Sequence, residues 1–418
     1  MNSRERVLTS LAHKQPDKVP FDIGGTGVSS IHVKCVKDLK AWYGLDDDPV
    51  TCWSIFLMTG EMPAELIDIM GIDMVNVKGK GTNFGLSKEK MKPWTTPWGQ
   101  VIMAPYNMEL SDDGKGGLFI YPGGDKSVAP SGHMPQGSKY FDNIERPSEY
   151  DEDDPDPADN LEEFSVMSDA DVAFFAGRAK EAAATGKAVA FIAPASGLAD
   201  AGQTPGSGLK NPKGIRTVAD WYMAPLMYPE FVKAQFEGQT DIMIENLKKI
   251  NAACGEYLDV VVTCSADLAY QNGQFFSPET YYEFYHPNYK RAHDWIHANT
   301  NWKTFKHCCG AAVPLIPGFI DSGFDILNPV QCSADGMDPA WLKKEFGKDI
   351  CFWGGGVDTQ YTLPRGTPEE VRKEVLQRCE IFAKDGGFVF GAIHSIQYDV
   401  PAENIVAMAD ALREFNGG

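Results

Sequence analysis

The chain has 418 residues, of which 43% are hydrophobic, so it is long enough and apolar enough to bury a full core. Its 58 acidic residues exceed its 38 basic ones, and the net charge of -20 argues against binding to nucleic acid or to an anionic membrane surface. The sequence contains no apolar run long enough to span a bilayer, which excludes a membrane-embedded protein.

The amino-terminal part predicts three helices and two strands. Apolar residues recur at helical spacing in residues 2–13, 30–43 and about 58–70, and the first of these segments is too charged for a signal peptide. Val19–Gly24 and Asp73–Lys78 have the pattern of short buried strands. The nine cysteines are odd in number and scattered, which favours a reducing, cytoplasmic location.

Residues from about 95 to 165 differ in pattern from their surroundings. Between Trp94 and Tyr121, polar and apolar residues alternate between Gly and Asp-Gly turns, which predicts β-hairpins. Residues 149–163 form the strongest acidic run of the chain, which is typical of a solvated linker. The sequence therefore predicts a β-rich and acidic insertion.

Beyond this segment, strand-like runs alternate regularly with helical patterns. The helix starts are well marked, since Ser277 precedes Pro278 and Thr367-Pro-Glu-Glu370 forms a capping box. The predicted strands here are 188–194, 258–264, 303–307, 325–329, 350–354 and 387–393. With the two earlier strands they make eight, which predicts an α/β fold of the (β/α)8 TIM-barrel type, as a single domain over 1–418. An open doubly wound sheet is the alternative, but no Gly-x-Gly-x-x-Gly follows the first strand.

The fifth predicted strand ends in His307-Cys308-Cys309-Gly310. In an extended backbone His307 and Cys309 share a face, while Cys308 points the other way. A catalytic zinc site needs a third protein ligand and an open position, and His394 at the end of the eighth strand can supply that ligand. The alternative for His394 is a buried neutral histidine that is hydrogen-bonded to the backbone.

Other polar residues follow the predicted strands and would surround the same mouth of the barrel, where such enzymes carry their active sites. Each of them is either a functional side chain or only a helix cap or turn former. The candidates for catalysis are Asp267 and Tyr270, and the candidates for substrate binding are Asn328, Gln331, Asp358, Gln360 and Gln397.

The carboxyl-terminal half, from about 255 to 415, resembles the uroporphyrinogen decarboxylase superfamily in its corrinoid-dependent methyltransferase branch. The resemblance lies in His307–Gly310, Asp325–Gln331, Gly354–Gln360 and His394–Asn404. It implies a (β/α)8 barrel, a zinc site and a homodimer.

Two departures separate the branches of this superfamily. Decarboxylases carry an arginine-bearing segment after the first strand, where this chain reads Phe21-Asp-Ile-Gly-Gly-Thr-Gly27, so a polyanionic porphyrinogen has no anchor here. The methyltransferases carry His-x-Cys and, later, a zinc-binding cysteine seven residues before the proline of a Pro-x-Glu-Asn segment. Here that place before Pro401 holds His394. The resemblance thus favours His307, Cys309 and His394 as ligands, with a histidine in place of a cysteine.

We hypothesise from these residues a zinc-dependent methyl transfer. Zinc would act as a Lewis acid on the leaving heteroatom of a small methylated substrate, with an aryl methyl ether as first choice, while cob(I)alamin takes the methyl group. The Asp-x-His-x-x-Gly signature of corrinoid proteins is absent, so a separate corrinoid protein would carry the cobalamin. Asp267 or Tyr270 would orient the substrate or supply a proton.

Three alternatives remain open at this point. The first is methylation of a coenzyme-type thiol by methylcobalamin, which reverses the direction of transfer. The second is a metal-free decarboxylation in which His394 acts as an acid. The third is a non-catalytic binding barrel. The aromatic residues of Phe275–Tyr285 could line an aryl pocket or only pack a helix.

Overall fold

The computed structural model describes residues 1–198, 200 and 202–418. Its strands are β1 (Val50–Ser54), β2 (Thr59–Gly60), β3 (Met74–Asn76), β4 (Met91–Thr95), β5 (Val101–Pro105), β6 (Leu110–Asp112), β7 (Leu118–Ile120), β8 (Gly132–Met134), β9 (Asp142–Asn143), β10 (Ala188–Ile192), β11 (Val260–Cys264), β12 (Ala269–Tyr270), β13 (Gly273–Gln274), β14 (Lys303–His307), β15 (Ile326–Asn328), β16 (Cys351–Trp353) and β17 (Phe388–Val389). Its helices are α1 (Ser3–Leu11), α2 (Val33–Trp42), α3 (Ala64–Met70), α4 (Asp169–Ala183), α5 (Val218–Met227), α6 (Pro229–Cys254), α7 (Pro278–Thr280), α8 (His286–Asn299), α9 (Ile316–Asp321), α10 (Pro339–Phe346), α11 (Thr362–Arg365), α12 (Pro368–Phe382) and α13 (Ala402–Phe415).

A curved parallel sheet forms the centre of the molecule. Its neighbouring strands follow chain order: β3, β10, β11, β14, β15, β16 and β17. The predicted first strand completes the ring, because Phe21 forms a parallel bridge with Phe390 and its carbonyl accepts a hydrogen bond from Asp73 N–H at 2.8 Å. The fold prediction of a (β/α)8 barrel is confirmed.

The barrel interior is filled by alternate side chains of the strands. Phe305, Ile326 and Trp353 belong to one buried cluster that also includes Val7 and Leu11 of α1. This helix therefore covers the amino-terminal end of the barrel and leaves the opposite end free. Since His307 lies two residues after Phe305, its side chain is on the inner face of β14, at the open end.

The segment from about 95 to 165 contains strands, as expected. One antiparallel sheet has the order β6-β7-β8-β9, and a second, mixed sheet has the order β2-β1-β5-β4. The end of the acidic run is not a free linker, however. Glu162 and Glu163 contact Arg216, whose side chain is fully buried, at 3.2 and 2.8 Å. That the segment is an insertion into a single domain stays a prediction.

Within the described parts of the chain, none of the helices has both the length and the apolar character that crossing a bilayer requires. All nine cysteines are free thiols.

Candidate metal centre

Three side chains from two separate strands converge at the open end of the barrel. His307 is the last residue of β14, Cys309 lies two residues further, and His394 follows β17. Each offers one ligand atom, and these atoms lie within 4.8 Å of one another. Within residues 1–198, 200 and 202–418, this is the one such group of three histidine, cysteine or acidic side chains.

The geometry of this cluster fits a zinc ion. The distance from His307 Nε2 to Cys309 Sγ is 3.5 Å. Tetrahedral zinc with usual Zn–N and Zn–S bonds separates such a pair by about 3.6 Å. Two imidazoles and one thiolate form a zinc ligand set, and three protein ligands leave the fourth position open for a substrate, as in catalytic sites.

The orientation of His307 is fixed by a chain of hydrogen bonds. Asn328 Nδ2 donates to the Trp353 carbonyl at 3.0 Å, so the Oδ1 atom of Asn328 faces His307. His307 Nδ1 lies 2.7 Å from that oxygen and must donate to it. The Nε2 lone pair is thereby directed at Cys309. Such a partner on the second ring nitrogen is typical of metal-binding histidines.

Asp267 lies beside the cluster. Its Oδ1 accepts a hydrogen bond from Cys309 N–H at 2.7 Å and is 3.6 Å from His307 Nε2. Burial, together with the negative charge of Asp267, raises the pKa of the Cys309 thiol well above its usual range. A bound cation would reverse this effect, because a metal ion stabilises the thiolate.

The side chains of Lys306 and Cys308, which flank His307, contact the backbone that follows β11. The Cys308 thiol accepts a hydrogen bond from Leu268 N–H at 3.3 Å, and burial raises its pKa to about 12. Lys306 is fully buried and donates to the Ala266 carbonyl at 2.7 Å. Consecutive side chains from Lys306 to Cys309 thus alternate between the two faces, as the sequence pattern predicts.

The other candidate residues have local partners. Gln331 Oε1 accepts from Gly310 N–H at 2.7 Å, and so it holds the backbone after Cys309. Asp358 Oδ1 accepts from the N–H groups of Gln360 and Tyr361, which is a turn-forming role, and Gln360 is exposed. The side chains of the remaining two have partners outside the cluster: Gln397 Nε2 donates to the Ser395 carbonyl, and the Tyr270 hydroxyl lies against Gly273.

Two residues near Asp267 were missed by the sequence analysis. Asp200 accepts a hydrogen bond from the Ser265 hydroxyl at 2.7 Å, and burial and the charge of Asp267 raise its pKa. Tyr222 of α5 stacks on Phe275 at a centroid distance of 4.7 Å, and burial raises its pKa to about 12. Neither follows a barrel strand directly, so no motif or strand end pointed to them.

Comparisons with known proteins place the fold. The model of the uroporphyrinogen decarboxylase (URO-D) family matches residues 193–415. A methyltransferase from Methanosarcina mazei has a similar structure, with a TM-score of 0.58, 14% identity and coverage of 99% of both chains. A D-psicose 3-epimerase solved in the presence of D-fructose covers 60% of this chain and 86% of its own, at 12% identity and a TM-score of 0.34, too low to support an argument. No curated protein matches the sequence.

Proposed function

The chain belongs to the uroporphyrinogen decarboxylase (URO-D) family, and from this premise we propose that it is a corrinoid-dependent methyltransferase. It moves a methyl group from a small methylated substrate, with an aryl methyl ether as first choice, to cob(I)alamin on a separate corrinoid protein. The observation that carries the proposal is the convergence of His307, Cys309 and His394 within 4.8 Å at the open end of the barrel. The shared fold with a methyltransferase from Methanosarcina mazei supports it.

His307, Cys309 and His394 would hold zinc. When bound there, zinc supplies a Lewis acid, and a ligand set of one thiolate and two neutral imidazoles gives a net charge of plus one, which favours a methyl donor over a thiol acceptor. The protein keeps these ligands in place through Asn328, which orients His307, and through Gln331, which holds Gly310.

Asp267 is the first candidate for a catalytic role beyond the ligands. Its side chain is 46% exposed and lies 3.6 Å from His307 Nε2, so it is accessible from the mouth of the barrel. We assign to it the orientation of the substrate or the transfer of a proton. Tyr270 comes second, because its hydroxyl lies against Gly273 and would have to turn away from it.

The reaction is tested by combining the purified, zinc-loaded protein with cob(I)alamin and a panel of methyl ethers, alcohols and amines. We expect methylcobalamin to form, and its absorbance measures the rate. An ether should be the best donor. Methylcobalamin with a thiol acceptor tests the reverse direction. Release of carbon dioxide from acidic substrates, without either methyl transfer, would overturn the proposal in favour of a decarboxylase.

The metal ligands are tested by a pair of adjacent substitutions. Cys309→Ala removes a proposed ligand, whereas Cys308→Ala removes a buried thiol that binds Leu268 N–H on the opposite face of the chain. We expect zinc in the wild type and in Cys308→Ala, and its loss in Cys309→Ala, by elemental analysis. Equal zinc content in all three proteins would contradict the assigned ligands.

The corrinoid protein would dock at the open end of the barrel and exclude water from the reacting groups. A homodimer, which the family resemblance implies, stays a prediction.

A further inference from the structure

A second feature of the open end is a cavity of about 620 Å³ on the side of the barrel formed by β3 and β10. Asn76 and Ile192, the last residues of these strands, line it, so it opens at the same end as the metal cluster. Its volume lies in the range of small-molecule sites. Four aromatic side chains contribute to its lining: Trp53, Phe164, Phe174 and Phe175.

Three of the four charged residues that line this cavity have a direct ion-pair partner, and the fourth has none within the described part of the chain. Of the four charged residues that line it, Lys80 pairs with Asp171 at 2.8 Å, and Glu163 pairs with Arg216, also at 2.8 Å. The fourth, Lys88, is half-buried and has no hydrogen-bond or ion-pair partner for its ammonium group among the described residues. Its Nζ lies 5.3 Å from the centre of the Trp53 ring.

A cation–π contact favours the charged form of Lys88 but leaves its N–H donors free. An ammonium group that is partly removed from water is stabilised by an anionic partner, and the free N–H donors of Lys88 can bind one. In a chain with a net charge of -20, an anionic ligand is repelled by most of the surface, so a cation without a direct partner at the mouth is a strong selector. The carboxylate that acts on Lys88, Glu61, is already paired with Lys78 at 2.8 Å.

We propose that this cavity binds the substrate as an aromatic ring that bears a carboxylate, with Lys88 as the anchor of the carboxylate and the aromatic side chains as the ring site. The inference rests on the proposed function, because it assigns the substrate class of the same barrel mouth. Lys88 is a binding and specificity residue, remote in sequence from the metal ligands.

The position of Lys88 is set by the local backbone. Lys88 N–H donates to the Lys80 carbonyl at 2.8 Å, and Gly81 forms an antiparallel bridge with Ser87, so a tight loop presents both lysines to the cavity. Burial lowers the pKa of Lys88 to about 8; the nearby charges of Lys78 and Arg178 act in the same direction, while Glu61 and the Cys52 thiol oppose them. Anion binding should therefore weaken as the pH rises above 8.

The test measures binding in the absence of any corrinoid, by calorimetric titration with 4-methoxybenzoate and its neutral analogue 4-methoxybenzyl alcohol. The wild type should prefer the benzoate, and Lys88→Gln should weaken benzoate binding by about 10- to 100-fold, while binding of the alcohol is unchanged. Lys88→Arg should retain the preference. Lys90→Gln is the matched control, because Lys90 is exposed and does not line the cavity.

Equal affinity of the wild type for the two compounds, or undiminished benzoate binding by Lys88→Gln, would overturn the inference. If Lys88→Gln does not fold, the wild type still decides, because a preference for benzoate that does not fall between pH 7 and 9 excludes Lys88 as the anchor. The two proposals fail separately. If Lys88→Gln transfers methyl groups from ethers and binds benzoate as well as the wild type does, only this inference fails. If benzoate binding depends on Lys88 but no methyl transfer occurs, only the proposed function fails.

Discussion

At the scale of single residues, Asn328 decides which nitrogen of His307 faces Cys309, because its amide is held by the Trp353 carbonyl. Asn328→Leu removes this acceptor and frees the imidazole to turn. We expect the affinity for zinc to fall by about 10- to 100-fold, which is the usual effect of losing such an outer partner. Competition with a chromogenic chelator measures the change.

Gln397→Leu is the control for this substitution. Gln397 lies three residues from His394, but its amide donates only to the Ser395 carbonyl. Its replacement should leave the zinc affinity unchanged. An unaltered affinity in Asn328→Leu would show that packing alone orients His307.

The sequence predicts more about the ligands than about the residues that hold them. Strand alternation is a backbone property, so it places His307 and Cys309 on one face without knowledge of the rest of the fold. The partner of His307 depends on a neighbouring strand. From the sequence, Asn328 is predicted to bind the substrate, and this stays a prediction. In the structure its side chain forms a hydrogen bond with His307. Asp200 and Tyr222 had no local signal at all.

At the scale of elements, Arg216 attaches the end of the acidic segment to the barrel. Its side chain is fully buried and binds both Glu162 and Glu163. Arg216→Ala leaves two carboxylates without their cation, and we expect the free energy of unfolding to fall by about 3 to 5 kcal/mol. Chemical denaturation measures the loss.

The matched control is Arg178→Ala, because Arg178 forms an exposed pair with Glu181 within one helix. Such pairs contribute about 1 kcal/mol or less. Similar losses in the two variants would mean that the Arg216 pairs add no stability beyond that of a surface contact.

The barrel strands were predictable because each is a short apolar run bounded by turn residues. The structure shortens several of them, such as the predicted strand 387–393, of which Phe388–Val389 is paired in the sheet. The helix predicted for 58–70 begins only at Ala64, since Thr59 and Gly60 form β2. The docking of the acidic run was not predictable, because Arg216 lies about fifty residues away and sequence composition does not identify such a partner.

At the scale of the whole molecule, His32 and His293 make stability dependent on pH. Both are buried, and burial lowers the pKa of each to about 4. Since the unfolded chain has a histidine pKa near 6.5, the stability is complete above that pH and is lost as the pH falls from 6.5 towards 4. Each shift corresponds to about 3 kcal/mol.

His32 is the more sensitive of the two. Its Nδ1 accepts a hydrogen bond from Lys34 N–H at 3.1 Å at the start of α2, so a proton on that nitrogen would face another donor. Asn accepts the same bond and does not titrate. With the unfolding temperature at pH 8 as the reference, the wild type should lose unfolding temperature between pH 6.5 and 4.5. We expect this loss to be smaller in His32→Asn. Parallel curves for variant and wild type would contradict this assignment.

The residues of the metal cluster are translated at widely separated times, because they lie far apart in the sequence. Cys309 follows β14, whereas His394 comes only after three further strands and the helices between them. A nascent polypeptide that has produced His307 and Cys309 still lacks the third ligand, so the ribosome must translate nearly the whole barrel before the zinc proposed here can be captured. Zinc binding would thus come after the barrel has folded. The cellular zinc supply would then set how much of the folded protein carries metal, and it would not affect how the protein is made.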